Sequence, residues 1–294
     1  MRSLLFVPGD DEKKLAKALS AEADALIVDL EDSIAFEAKP RARAIAATFL
    51  AAAAKSADRP QLIVRVNPLD GDLTDLDLDA VMPAAPDGVM LPKSLGGASV
   101  QQFGVKIAVR EARQGLEDGA TKIIALATET AEAMFGLASY RACSPRLQAL
   151  TWGGEDLSAD LGAETNRLAD GAWAGPYALA RNLALLAAAA AHVAAIDTVF
   201  VNFRDLDGLR AEALAARRDG FSAKMAIHPA QVPIINEVFT PSAEDLAKAE
   251  AIVRAFAERP EIGVVAIDGE MVDRPHLKRA ERILARARDA RGRK

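Results

Sequence analysis

Eight short apolar runs recur along this chain, and almost every one ends on a polar or charged residue. They cover 3–7, 25–30, 61–66, 88–92, 122–128, 147–153, 197–201 and 223–227. Most are apolar at successive positions rather than alternate ones, the pattern of strands buried on both faces. Helical patterns lie between them, near 11–21, 37–56, 98–117, 131–140, 177–194, 207–218 and 230–237. Strands alternating with helices in this way predict a (β/α)8 barrel. An open doubly wound sheet competes, but no GxGxxG turn follows any strand. In a barrel the strand ends share one rim, where active sites lie. The residues carried there are Asp29, Glu31, Asp32, Arg65, Asn67, Lys93, Glu129, Glu155, Asp156, Asn202 and His228.

The pattern changes after residue 240, where Thr240 and Pro241 break the eighth unit. The barrel is therefore expected over 1–240 and a C-terminal extension over 241–294. A helix over 242–258, a short hairpin at 263–267 with a turn at Asp268–Gly269, and a helix from about 275 are expected there. This segment is too short for an independent core, so it is expected to pack on its own barrel or on a neighbour. A chain of 294 residues needs no disulfide or zinc staple. Its single cysteine, Cys143, permits no internal disulfide and suits a reduced, cytoplasmic setting. Three histidines make a structural zinc site a poor fit. A net charge of −6 argues against a nucleic-acid partner. The N-terminal apolar run is too short for a signal peptide. The longest apolar stretch, 178–196, carries Arg181, Asn182 and His192 and reads as a buried helix rather than a membrane span.

Glu129 and Asp156 follow consecutive strands, whose ends lie about 5 Å apart. Two carboxylates so placed can share a hard cation such as Mg²⁺, which keeps waters or substrate oxygens in its other positions. Glu129 can equally cap the next helix or pair with Lys93 or Arg65. Arg65 ends a buried strand and needs an anionic partner. Glu31 or Asp32 could supply one, and the same guanidinium could clamp a substrate carboxylate. Lys93 and Lys224 could form imines or simply pair with acids. Lys13 and Lys14 read by themselves as a solvated helix face. Gly96–Gly97 and Gly153–Gly154 bring flexible backbone to the rim, though neither forms a nucleotide P-loop.

Together, the segments LLFVPGD, ALIVDLEDSI, VRVNP, GVMLPKS, TET, WGGEDLSADLG, GFSAKMAIHPAQV and IDGEMVDRPHLKRA resemble the citrate lyase beta-subunit and malyl-CoA lyase family, within the pyruvate/phosphoenolpyruvate-type barrel superfamily. They run in order from residue 3 to about 280. The resemblance implies a barrel assembled as a trimer, with Mg²⁺ on Glu129 and Asp156. It implies that Arg65 contacts a 2-oxoacid and its developing enolate, with Glu31 and Asp32 beside it. Asp273, in EMVDRP, matches an aspartate that reaches a neighbouring subunit as catalytic acid/base, which would make the extension a lid. Many relatives carry FVPGNRP where this chain has FVPGDDEKK, so Lys13 or Lys14 would have to meet the CoA phosphates.

The expected activity is a Mg²⁺-dependent carbon–carbon lyase acting on a 3-hydroxyacyl-CoA such as malyl-, citramalyl- or citryl-CoA. The products would be a 2-oxoacid and an acyl-CoA. A malyl-CoA thioesterase and the beta subunit of a citrate lyase complex are the alternatives. A non-enzymatic scaffold would leave the rim's buried charge without purpose.

Overall fold

The computed structural model describes residues 1–267 and 269–291. Eight parallel strands close into a barrel among these residues. They are β1 (Ser3–Pro8), β2 (Ala25–Asp29), β3 (Gln61–Arg65), β4 (Gly88–Leu91), β5 (Lys122–Leu126), β6 (Leu147–Thr151), β7 (Ala194–Asp197) and β8 (Ala223–Ala226). The helices around them are α1 (Glu12–Ala18), α2 (Lys39–Ala53), α3 (Leu73–Val81), α4 (Gly97–Gln114), α5 (Ala131–Gly136), α6 (Glu155–Asp160), α7 (Gly175–Ala191), α8 (Leu206–Asp219) and α9 (Val232–Phe239). Beyond the barrel come α10 (Ala243–Glu258), the antiparallel pair β9 (Val264–Ile267) and β10 (Glu270–Asp273), and α11 (Arg274–Arg291).

The successive apolar positions now have a cause. Alternate residues of each strand face opposite sides. Leu4, Ile27, Ile63, Met90, Ile124, Ile196 and Met225 form one cluster, the barrel interior. Their neighbours Leu5, Val28, Val64, Val89 and Leu91 join the larger core beneath the helices. Burying one such side chain contributes about 1.5–3 kcal/mol. Both faces are therefore apolar until a strand reaches the rim, where inward positions turn polar. Ile27 is followed two residues on by Asp29, and Ile63 by Arg65. Register then pairs Asp29 with Arg65 directly.

Three local features differ from expectation. Strand β7 occupies 194–197 rather than 197–201. Helix α7 ends at Ala191, with His192 in the left-handed region at φ 59°, and the strand begins at once. The β-branched run beyond it becomes a loop whose Val201 is half exposed. The two alanines that begin β7 look helical in isolation, and barrel pairing overrides that propensity. Helix α3 has no counterpart in the predicted pattern. It is fixed by buried Asp77, which accepts hydrogen bonds from Arg43 and from Asn67. Short α6 is likewise additional, and it places Asp156 on a first helical turn.

The extension does build a small core of its own. Ala249, Ile252, Phe256, Val272 and Ala280 cluster, with Leu277 and Leu284 against them. The predicted hairpin is present, with Gly269 at φ 81°, but Asp268 lies outside the described residues. Arg282 and Arg286 of α11 line a cavity together with Met1, Gln61, Ala194 and Ala223. Those four residues are at or beside the N-terminal ends of their strands, so α11 sits at the end of the barrel opposite the rim. No membrane-crossing helix is present: among the described residues none is long and apolar enough.

Candidate active site

The rim encloses a cavity of about 300 Å³, lined by Phe6, Asp29, Arg65, Glu129, Gly153 and Asp156 among others. Five of the predicted site residues, Glu31, Asp32, Arg65, Glu129 and Asp156, meet in or beside it. The organising group is Arg65. Its Nε and Nη2 donate to the two carboxylate oxygens of Asp29 at 2.7 and 2.8 Å. Its Nη1 faces Glu31 Oε2 at 2.8 Å and Asp32 Oδ2 at 3.5 Å. Phe6 lies under the guanidinium, its ring centroid 4.9 Å away. One edge of Arg65 is thus locked by Asp29 while Nη1 remains turned toward the acidic group at the mouth. Burial works against charge on Asp29, and the hydrogen bonds and charge of Arg65 overturn it, holding the carboxyl below its usual range.

Lys93 supplies a second cation. Its backbone is left-handed at φ 48°. That conformation aims its N–H at Glu129 Oε2, 2.5 Å away. Its ammonium lies 2.5 Å from Glu31, 3.7 Å from Asp32 and 3.6 Å from Asp156. Burial opposes the charge on Lys93, but the bond and charge of Glu31 prevail and push its pKa up. A lysine so held is protonated, which disfavours imine chemistry. Lys224 is fully buried between Asp197 and Glu212, at 2.7 and 2.9 Å, among groups that do not line the cavity. Burial opposes its charge too, and those acids raise its pKa. Lys39 donates to the carbonyls of Leu30 and Glu31 and to Asn67, pinning the loop that carries Glu31.

The cluster remains short of positive charge. Asp29, Glu31, Asp32, Glu129 and Asp156 stand against Arg65, Lys93 and Lys39, five carboxylates to three cations. Glu31 Oε2 is buried and, although ion-paired with Arg65 Nη1, accepts no hydrogen bond. Burial, then the neighbouring charge of Glu31, raises Glu129 to about 8. Burial raises Glu31 to about 7, with Arg65 and Lys93 pulling the other way. With all five ionised, the surplus of two negative charges and the hard oxygen donors fit a divalent cation. Among the described residues no three such side chains converge as a closed metal site. Glu129 and Asp156 would therefore leave positions open for water or substrate, as Mg²⁺ requires.

These shifts fix a pH dependence. Glu31 and Glu129 keep protons in the metal-free fold that an unfolded chain releases near 4.5. The fold binds more protons over that window, so metal-free stability falls as pH rises from about 4.5 through 7 and 8. A cation must displace those protons, so Mg²⁺ affinity is expected to rise across the same upper range. Calorimetry in two buffers of different ionisation enthalpy checks this. Release near one proton per Mg²⁺ at neutral pH is expected, and buffer-independent heats would contradict it.

Local chemistry explains the glycines. A Cβ on Gly153 would sit 3.0 Å from Glu129 Cγ, so a side chain there would crowd the carboxylate. Gly154 similarly gives way to Trp173. Gly97 serves packing instead, since a Cβ would meet the Ser139 carbonyl at 2.2 Å. His228 caps the turn Pro229–Gln231 and stacks on Phe203. Cys143 is partly exposed, and burial pushes its thiol up.

The remaining predicted residues lie apart from this cavity. Lys13 and Lys14 are exposed on α1, with Lys14 3.3 Å from Asp11. Asp273 closes β10 and contacts His276 Nδ1 at 2.5 Å. Among the described residues none beyond Ile227 lines the rim cavity. The extension thus does not cover its own barrel's rim, and any lid it forms would have to act on another copy. Asp29 is legible as a rim residue from its strand end but not as the partner of Arg65, and no strand end marks Lys39. The signal for Asp29 was present in the matching inward parity of 27/29 and 63/65.

A model of the family described as HpcH/HpaI aldolase/citrate lyase matches residues 2–229. A second, described as a C–C bond lyase of the TIM-barrel fold, matches 178–289. The (3S)-malyl-CoA thioesterase of Cereibacter sphaeroides is 37% identical over 97% of this chain and 94% of its own. The mitochondrial citramalyl-CoA lyase of Rattus norvegicus is 33% identical over 97% and 86%. A crystal structure of CitE from Mycobacterium tuberculosis, in complex with magnesium, acetoacetate and coenzyme A, superposes with a TM-score of 0.77 at 35% identity, covering 97% of both chains.

Proposed function

The chain belongs to the HpcH/HpaI aldolase/citrate lyase family, and from that premise we propose that it is a magnesium-dependent carbon–carbon lyase. Its substrate would be a 3-hydroxyacyl-CoA of the malyl, citramalyl or citryl type, cleaved to a 2-oxoacid and an acyl-CoA or formed in reverse. The observation that carries the reading is the under-neutralised carboxylate cluster beside a locked arginine. The magnesium complex of the related CitE supports it.

Glu129 and Asp156 would hold the ion, which when bound supplies Lewis-acid polarisation at the oxoacid oxygens. Arg65 presents Nη1 to the oxoacid carboxylate while Asp29 fixes its plane. That prepaid geometry stabilises negative charge as it develops. Glu31 and Lys93 orient one another at the mouth, and Asp32 lies at its exposed edge. Asp273, contributed by a neighbouring copy in a trimer, would take the hydroxyl proton during cleavage and act on the acyl-CoA methyl group in reverse. The His276 hydrogen bond holds its carboxyl below the usual carboxylate range. Lys13 and Lys14 would meet the CoA phosphates.

The thioesterase relative supports a second reading, in which water attacks the thioester in the same site. Product analysis with malyl-CoA separates the two. Glyoxylate with acetyl-CoA is expected, whereas malate with free CoA as the initial products would establish the hydrolase instead. Citramalyl- and citryl-CoA assayed alongside would rank the oxoacid: glyoxylate, pyruvate or oxaloacetate.

A further inference from the structure

The molecule carries a net negative charge, yet one cavity away from the rim is strongly basic. A cavity of about 720 Å³ lies between the end of α8 and one face of α11. Arg217, Arg218, Lys278, Arg279, Arg282 and Arg286 line it, against two carboxylates, Asp219 and Asp245. Those two acids are already engaged. Asp219 accepts from Arg181 at 2.8 Å, and Asp245 closes the capping box with Ser242 while lying 3.7 Å from Arg217. Among the described residues no carboxylate pairs with Lys278, Arg279, Arg282 or Arg286. Arg286 is half-buried and its one hydrogen bond is a long one, 3.5 Å to the Gly220 carbonyl. Burial, then the like charges of Arg282 and Arg217, press its guanidinium away from the charged form.

Two ordinary explanations fall short. A solvated cationic helix face accounts for Lys278, Arg279 and Arg282, which are exposed, but not for Arg286, half-buried beside the like charges of Arg282 and Arg217. Cations in the last turn of a helix do favour its dipole, but Lys278 and Arg279 lie near the start of α11, where they oppose it. Lys278, Arg282 and Arg286 recur every four residues and so point the same way. The apolar side, Leu277, Ala280 and Leu284, packs in the core of the extension.

We propose that this cavity, at the barrel end opposite the rim, binds a small phosphate-bearing polyanion through Arg282, Arg286 and the cations around them. Guanidinium groups take phosphate oxygens in pairs. The volume lies within the range of small-ligand sites. An anion there would relieve the repulsion around Arg286 and tie α11 to the barrel.

The test is titration calorimetry of the full chain with inorganic pyrophosphate and, separately, ADP, in buffer containing chelator. The comparison is R282Q/R286Q. Wild type is expected to bind one diphosphate per chain, and the double variant at least tenfold more weakly. Removing unpaired like charge should also leave the variant melting no lower than wild type in phosphate-free buffer. Tighter binding of ADP than of pyrophosphate would mark the ligand as a nucleotide, and equal binding a free phosphate; either supports the proposal. Absence of binding by wild type, or binding within twofold in the variant, overturns it. So does a fall in subunit number for the variant in sedimentation without phosphate binding by wild type, which would assign the basic face to a second copy of the chain.

Discussion

Asp273→Asn is expected to lower turnover of the preferred CoA ester by roughly 10²–10⁴-fold, the usual contribution of a positioned acid/base. Magnesium affinity and thermal melting should barely move. Among the described residues the Asp273 side chain contacts His276 at the start of its own helix, its backbone pairs with Val264 of β9, and it lies outside the rim cavity. Helix α11, which follows it directly, packs at the barrel end opposite Glu129. On the proposed trans arrangement, a base on that segment serves another copy's rim. Asp273→Asn and Glu129→Gln should each be severely impaired alone. Mixed after dissociation and reassembly, they should recover a substantial fraction of activity, because some sites then combine an intact rim with an intact Asp273. Absence of recovery in verified mixed oligomers would contradict the trans arrangement, and unchanged turnover in Asp273→Asn would remove its role.

Arg65→Ala should have the largest combined effect. Asp29 is buried and depends on both Arg65 nitrogens. Deleting the cation leaves that charge unpaired, which typically costs about 3–5 kcal/mol. Denaturant unfolding should show this as a lowered midpoint, with turnover lost entirely. Arg65→Lys separates the two roles. It restores one positive charge and part of the stability, but an ammonium cannot span both Asp29 oxygens and still present a second donor toward the mouth. Turnover of Arg65→Lys should therefore stay down by at least ~10²-fold, the scale of losing one oxyanion donor. Full recovery of kcat by lysine would show that Arg65 acts only as a structural counter-ion.

Much of the barrel was legible because each strand is buried on both faces, so its apolar run is continuous and short. Legibility failed where composition and context disagree. Ala194 and Ala195 look helical and form β7, since pairing with β6 decides their conformation. Helix α3 escaped notice because its buried Asp77 resembles a surface acid until Arg43 and Asn67 are in place. At the site, Glu129 and Asp156 could be placed on a common rim from strand ends alone. Their electrostatic setting could not. It depends on Lys93 taking a left-handed backbone and on register setting Asp29 beside Arg65, both properties of the closed barrel. The same holds for the extension: its helices and hairpin follow from local pattern, whereas its position opposite the rim follows from packing.

On the proposed function, the rim carboxylates need a divalent cation to act on a CoA ester. The direct measurement is initial turnover of malyl-, citramalyl- and citryl-CoA after exhaustive chelation, then after Mg²⁺ is returned, with both products identified. Cleavage to a 2-oxoacid and an acyl-CoA should vanish on chelation and return with Mg²⁺, and Glu129→Gln should remain inactive at the same Mg²⁺ concentration. Full cleavage in the chelated enzyme, or in Glu129→Gln, would contradict it.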